Sequence, residues 1–117
     1  MRLNEIAYSD AKPIDGYGPG FFRIAGEVFY GPILTGASDT ASWGGYDDTA
    51  PLCALAGQVD VLFIGTGNEM AQLPGDLRHT LEEAGIGVEN MSSPAACRTY
   101  NVLLAEGRRI ALAALPV

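Results

Sequence analysis

The sequence predicts an α/β domain with a central sheet largely covered by helices. From residue 51 onward, three short strand-like segments, at residues 59–64, 86–91 and 109–115, the first and last of them largely apolar, alternate with segments that read as helices. Before residue 50 the chain reads instead as strands and turns, rich in Gly, Pro and aromatic residues. The 117 residues suit one domain spanning 1–117, and 48% hydrophobic content is enough for a core without staples.

The elements follow in order. Residues 21–25 (Phe-Phe-Arg-Ile-Ala) and 27–30 (Glu-Val-Phe-Tyr) are aromatic and branched, and Gly26 between them predicts a tight N-terminal β-hairpin. Ile33 and Leu34 are expected to continue its second strand. Residues 35–50 read as loop, with Trp43 as the one large anchor, expected to cap the core. Residues 51–56 (Pro-Leu-Cys-Ala-Leu-Ala) predict a short helix ending near Gly57. The nearly continuous apolar run at 59–64 has the character of a strand buried on both faces, ended by Gly65, Thr66 and Gly67. Pro74 opens the next helix, which turns Leu77, Leu81 and Ala84 inward and stops at Gly85. A strand follows at 86–91. Ser93 then predicts an N-cap, with Pro94 at the first helical position and Gly107 as the stop. Residues 109–115 form the final strand.

Net charge is −7, unevenly spread. No Lys or Arg lies between Arg23 and Arg78, whereas Glu27, Asp39, Asp47, Asp48, Asp60, Glu69 and Asp76 all do. Such a surface repels a phosphate backbone, so nucleic acid is not an expected partner. No apolar run approaches the ~20 residues of a membrane-spanning helix. Residues 1–6 have neither the apolar core of a signal peptide nor the Arg-rich character of a mitochondrial leader, so a cytoplasmic location is expected. Cys53 and Cys97 are expected as reduced thiols. With His79 as the only histidine and no C-x-x-C or H-E-x-x-H spacing, no metal site is expected.

Candidate chemistry concentrates in the last helix, where Cys97, Arg98, Thr99, Tyr100 and Asn101 are consecutive. In one reading Cys97 and Tyr100 turn into the core and Arg98 covers their edge. In the other, the positive end of the helix dipole and Arg98 lower the thiol pKa or hold an anion. Gly65-Thr-Gly67 after a buried strand has part of a dinucleotide-binding fingerprint. Met70 stands where the third glycine belongs, however, and Pro74 delays the helix, so no nucleotide cofactor is expected. The two glycines are read instead as letting the chain leave the sheet close beside other backbone. Glu82 and Glu83, adjacent on a helix, point in different directions, and Asp47-Asp48 after Gly44-Gly45 suit a turn. No G-x-S-x-G elbow is present, and a Cys97–His79 pair would depend on the fold.

These residues also carry a resemblance. Residues 16–21 (Gly-Tyr-Gly-Pro-Gly-Phe), 31–34 (Gly-Pro-Ile-Leu), Trp43, 61–67 (Val-Leu-Phe-Ile-Gly-Thr-Gly), Leu77-Arg78, 85–89 (Gly-Ile-Gly-Val-Glu), Met91 and above all 95–109 are similar to the Mth-type domain family. This is a domain of unknown function, found in a mitochondrial assembly factor for respiratory complex I and in the adipogenesis-associated Mth-domain protein. The match runs nearly end to end. One departure is Ser92-Ser93, where relatives often carry Asp or Thr after the Met; a cap is preserved, but no carboxylate role carries over. The resemblance implies a three-layer α/β fold around a mixed sheet, with no established enzymatic activity.

The resulting expectation is a non-enzymatic protein-interaction domain of the kind that assembles complex I, with protein partners such as respiratory-chain subunits and no cofactor. Its binding site is placed at Gly65, Thr66 and Gly67 together with Ser93, Arg98, Thr99, Tyr100 and Asn101. Arg98 would be the charged contact, Thr99 and Asn101 hydrogen-bond donors, and Tyr100 a flat anchor. The alternative is an enzyme or small-ligand binder using a cleft near Gly65–Gly67 with Cys97 and Arg98. A closed pocket exposing Cys97 would favour the alternative; a filled site favours the interaction domain.

Overall fold

The computed structural model describes residues 11–36 and 39–117; residues 1–6, expected to carry no leader, lie outside these. The described elements are β1 (Ile14–Gly18), β2 (Phe21–Ile24), β3 (Glu27–Tyr30), β4 (Ile33–Thr35), β5 (Thr40–Ser42), α1 (Ala50–Cys53), β6 (Val61–Thr66), α2 (Gly75–Glu83), β7 (Gly87–Met91), α3 (Ser93–Ala105) and β8 (Ile110–Leu115). They form two sheets: an antiparallel one ordered β1-β2-β3, and a mixed one ordered β5-β4-β8-β6-β7.

The hairpin forms as its sequence dictates. Ala25 and Gly26 both take positive φ, +54° and +79°, as a two-residue turn of the primed type requires to match strand twist. Phe22 and Ile24 point into the core, while Phe21 and Arg23 lie on the other side of the strand.

Two expectations before residue 50 are corrected. Ile33 and Leu34 do not extend β3; Gly31 at φ +82° and Pro32 turn the chain away, and β4 joins the large sheet. The segment 35–50 is not all loop, because Thr40–Ser42 pairs antiparallel with β4 as β5. Thr35 and Thr40 sit opposite each other there, with their hydroxyls 2.6 Å apart. Trp43 is buried, as its place in the sequence suggested, and its indole N–H donates to the Asp48 carbonyl at 3.0 Å.

In the large sheet β6 runs parallel to both β7 and β8, whereas β4 is antiparallel to β8 and to β5. Phe63, Ile110, Leu112 and Ala114 pack towards α3 and the small sheet; Leu62, Ile64, Ala111 and Ala113 pack towards Trp43, α1 and α2. Both faces are therefore apolar, which is why β6 and β8 read as continuous apolar runs rather than alternating ones. The result is a three-layer α/β arrangement around a mixed sheet.

The ends of α3 explain its position. Gly107, at φ +79°, closes it with a Schellman motif: its N–H donates to Leu104 at 3.0 Å and that of Arg108 to Leu103 at 3.1 Å. At the other end the N-cap is Ser92, one residue earlier than expected, and its hydroxyl accepts from the Ala95 N–H at 3.3 Å. Ser93 is thereby released for another task.

Candidate functional site

Because β6, β7 and β8 are parallel, their C-terminal ends lie along one edge of the sheet, the place where open α/β sheets commonly bind ligands. Gly65, Thr66, Gly67 and Ser93 are brought together there, as the sequence reading placed them. The space between them is filled by their own contacts. Ser93, 1% exposed, donates its hydroxyl proton to the Leu115 carbonyl at 2.5 Å and accepts from the Gly67 N–H at 2.9 Å. The Ser93 N–H in turn donates to Gly67 O at 2.8 Å.

The first turn of α3 has no donor left over. Ser93 N–H is held by Gly67, Pro94 has none, and the Ala95 and Ala96 amides are held by the Ser92 hydroxyl and carbonyl. A helix N-terminus attracts anions through such unsatisfied N–H groups, so this one offers no phosphate cradle. Thr66 is equally engaged: its hydroxyl shares a proton between Glu69 O at 2.7 Å and Met91 O at 3.1 Å, and accepts from the Ala71 N–H at 3.1 Å. Gly65 must lack a side chain, since a Cβ there would sit 2.9 Å from the Ser93 Cα.

The chemistry expected further along α3 divides by face. Cys97 is 3% exposed, and burial pushes its thiol up to about 11, with the nearby Arg98 charge only partly opposing this. Such a thiol is protonated at neutral pH and is no activated nucleophile. It cannot pair with His79 either: α2 covers the opposite side of the sheet, and His79 is exposed there. Cys53 and Cys97 are both free and belong to the two separate cores. Among the described residues no three His, Cys, Asp or Glu side chains are grouped so as to hold a metal.

Tyr100 is fully buried, which corrects its expected role as a surface anchor. Its hydroxyl donates weakly to Lys12 O at 3.4 Å, and burial raises its pKa against a hydrogen bond with Thr35 that lowers it. Asn101 is likewise an internal fastener: its Oδ1 accepts from the Ile14 N–H at 2.8 Å and its Nδ2 donates to the Ile14 carbonyl at 2.9 Å, tying β1 to the helix. Ser93 is corrected in the same way, as a plug rather than a contact. Of the α3 residues singled out, Arg98 and Thr99 remain at the surface. They line a shallow hollow with Val102 and Leu103, and Val102 is 57% exposed.

Val102 and Leu103 were not among the expected site residues. The signal was present: Val102 follows Arg98 by one helical turn on the face opposite Cys97 and Tyr100. Arg78 was also passed over. Its guanidinium donates to the Val88 carbonyl at 2.9 Å and to Asn90 Oδ1, while Asn90 Nδ2 donates to Ala71 O at 2.8 Å. These bonds pin α2 and the 67–74 loop to β7. Asp48 holds its turn as expected, accepting from the Gly44 N–H at 2.9 Å, and Glu82 pairs with Arg78 at 3.5 Å.

Comparison with known proteins agrees with this architecture. A family model described as a protein of unknown function (DUF498/DUF598) matches residues 14–115. An uncharacterized protein of Rhodobacter capsulatus is 52% identical over 117 residues, covering 100% of this chain and 94% of its own length. The mouse NADH dehydrogenase [ubiquinone] 1 alpha subcomplex assembly factor 3 is 28% identical over 123 residues; the match covers 99% of this chain and 66% of that longer protein. Among solved structures, one described as an outer membrane protein from Bartonella henselae superposes with a TM-score of 0.85 at 38% identity, covering 92% of this chain and 96% of the other. A Bordetella pertussis protein described as a Mth938-like domain gives 0.75 at 29% identity, covering 99% and 92%. No helix among the described residues is long and apolar enough to cross a membrane. The chain belongs to the DUF498/DUF598 family, the Mth-type domain that its closing helix and strand resemble.

Proposed function

We propose that the chain acts as one non-enzymatic protein-interaction domain, assisting the assembly of the respiratory NADH dehydrogenase, with the outer face of α3 as its contact surface. The observation that carries this reading is how the polar run divides. Ser93, Cys97, Tyr100 and Asn101 are spent on internal packing, while Arg98 and Val102 are exposed and line a shallow hollow with half-buried Thr99 and Leu103. Interaction surfaces favour such a combination of an arginine with exposed apolar side chains. The match to assembly factors covers nearly this whole chain, though only about two thirds of theirs. The rival, a Cys97-centred enzyme or ligand site, is weakened by a protonated, buried thiol and a filled strand edge.

Partners would then be protein subunits met in the cytoplasm, without nucleic acid and without a bound cofactor. Replacing Val102 by a photo-crosslinking residue in the native organism tests this directly. Cross-links to NADH dehydrogenase subunits or their assembly intermediates are expected. Cross-links to such subunits from β3 or from the acidic turn at Asp47, with none from position 102, would move the contact surface elsewhere.

A further inference from the structure

The outer face of α3 has a charge pattern that is complementary to itself. Arg98 and Val102 on α3, and Glu106 at its C-cap, follow at intervals of four, all exposed, with Val102 at 57%. Four residues of helix rise by about 6 Å, so Arg98 and Glu106 lie about 6 Å on either side of Val102. Rotating a second copy by half a turn about an axis through Val102 lays the two helices antiparallel. Arg98 of each copy then meets Glu106 of the other, and the two Val102 side chains meet at the centre. Thr99 and Ala105, three residues before and after Val102, pair in the same way. Being small, with Ala95 on the same side, they allow the helices to approach closely. A parallel arrangement would instead set Arg98 against Arg98 and Glu106 against Glu106. Among the described residues no ion pair engages either side chain within the chain.

We propose that this face is a two-fold interface between copies of the chain, centred on Val102 and selected by the Arg98–Glu106 pairs. This rests on reading α3's outer face as a contact surface, and it adds a second copy of the chain to the partners met there. Such isologous contacts are the commonest route to symmetric dimers. One helix of 13 residues is only about 20 Å long, too little to bury the ~1,200 Å² of a stable interface by itself. The dimer is therefore weak, concentration-dependent and loosened by salt.

Sedimentation equilibrium over a wide concentration range, on the full chain, tests the pattern through charge reversal. Wild type should shift from monomer towards dimer as concentration rises. R98E and E106R should each lower the association constant by about tenfold or more, since each turns two attractions into two repulsions. An equimolar mixture of R98E with E106R should recover association to within about threefold of wild type, because opposite charges face each other again. Both variants change exposed side chains, and unchanged circular dichroism and melting would verify their folding. Wild type that stays monomeric throughout, or a mixture that associates no better than its components, overturns the proposal. In the first case, cross-links from position 102 to respiratory subunits would keep the contact-surface reading while removing the dimer. A dimer whose position 102 cross-links only to a second copy would keep the face as a dimer interface while removing respiratory subunits as its partners.

Discussion

Gly65 and Ser93 approach so closely that a Cβ on Gly65 would lie 2.7 Å from the Ser93 hydroxyl and 2.9 Å from its Cα. The second distance is to backbone and cannot be relieved by rotating a side chain. Gly65→Ala should therefore push α3 off the end of β6 and destabilise the fold by about 1–3 kcal/mol, the usual cost of overpacking. At Gly75, the start of α2, an added Cβ would meet nothing within 4 Å. Gly75→Ala should leave stability within about 0.5 kcal/mol. Urea unfolding of the two variants checks the contrast; equal midpoints would mean that the close approach is not needed.

Asn101 holds both the N–H and the carbonyl of Ile14. Asn101→Ala leaves two half-buried backbone groups without their partners, at a cost of about 1–3 kcal/mol. The loss should be local as well as global. Hydrogen exchange at the Ile14 amide should accelerate more than at the centre of β6, and equal acceleration at both sites would mean that Asn101 supports the whole core instead.

Cys97 links stability to pH. Its thiol rises from an ordinary 9.0 to about 11 in the folded chain, chiefly through burial. The folded state thus keeps a proton that the unfolded state gives up. Stability from this group is complete below pH 9 and is lost as pH climbs towards about 11. Cys97→Ala should flatten that part of the profile by about 1–3 kcal/mol relative to wild type, a comparison that cancels the tyrosines. At pH 8 a thiol reagent should reach half-buried Cys53 well before Cys97. Rapid native labelling of Cys97 would contradict its enclosure.

Arg98 is exposed, and among the described residues no hydrogen bond fastens its guanidinium. Arg98→Ala should therefore change unfolding free energy by less than about 0.5 kcal/mol. A larger loss, near the 1–3 kcal/mol of a buried polar clamp, would make it a structural residue and remove it from the contact surface.

Calorimetric titration with NADH or ATP should give no heat of specific binding. The four first-turn positions of α3 have no free N–H, and Ser93 occupies the cleft beside Gly67. Micromolar binding would require the strand edge to open.

Much of this was legible because periodicity and punctuation agree over residues 51–115. Gly85 and Gly107, both at positive φ, mark ends that the sequence alone located. Helix α1 instead stops at Cys53, short of the end expected near Gly57, and a turn fills the interval. Strand β5 escaped because Thr-Ala-Ser has little apolar signal; its partner strand, not its own composition, holds it in the sheet. The candidate site was legible as a place but not as a set of directions. Arg98 and Tyr100 are neighbours in sequence, yet one faces solvent and the other is enclosed. Likewise Asn101 is surface-like in chemistry, and only the arrival of β1 at its side turns it inward. Tertiary contacts decide such cases, and they leave no local trace.

β8 follows every other described strand in chain order yet is the middle strand of its sheet, seated between β4 and β6. A ribosome therefore delivers both flanks before the piece that joins them. Until residues 110–115 clear the exit tunnel, β4 and β6 each offer a bare edge to any other chain nearby. Over that interval the nascent sheet remains open to chaperones, and to misassembly. Its large sheet closes only once that last strand has been released.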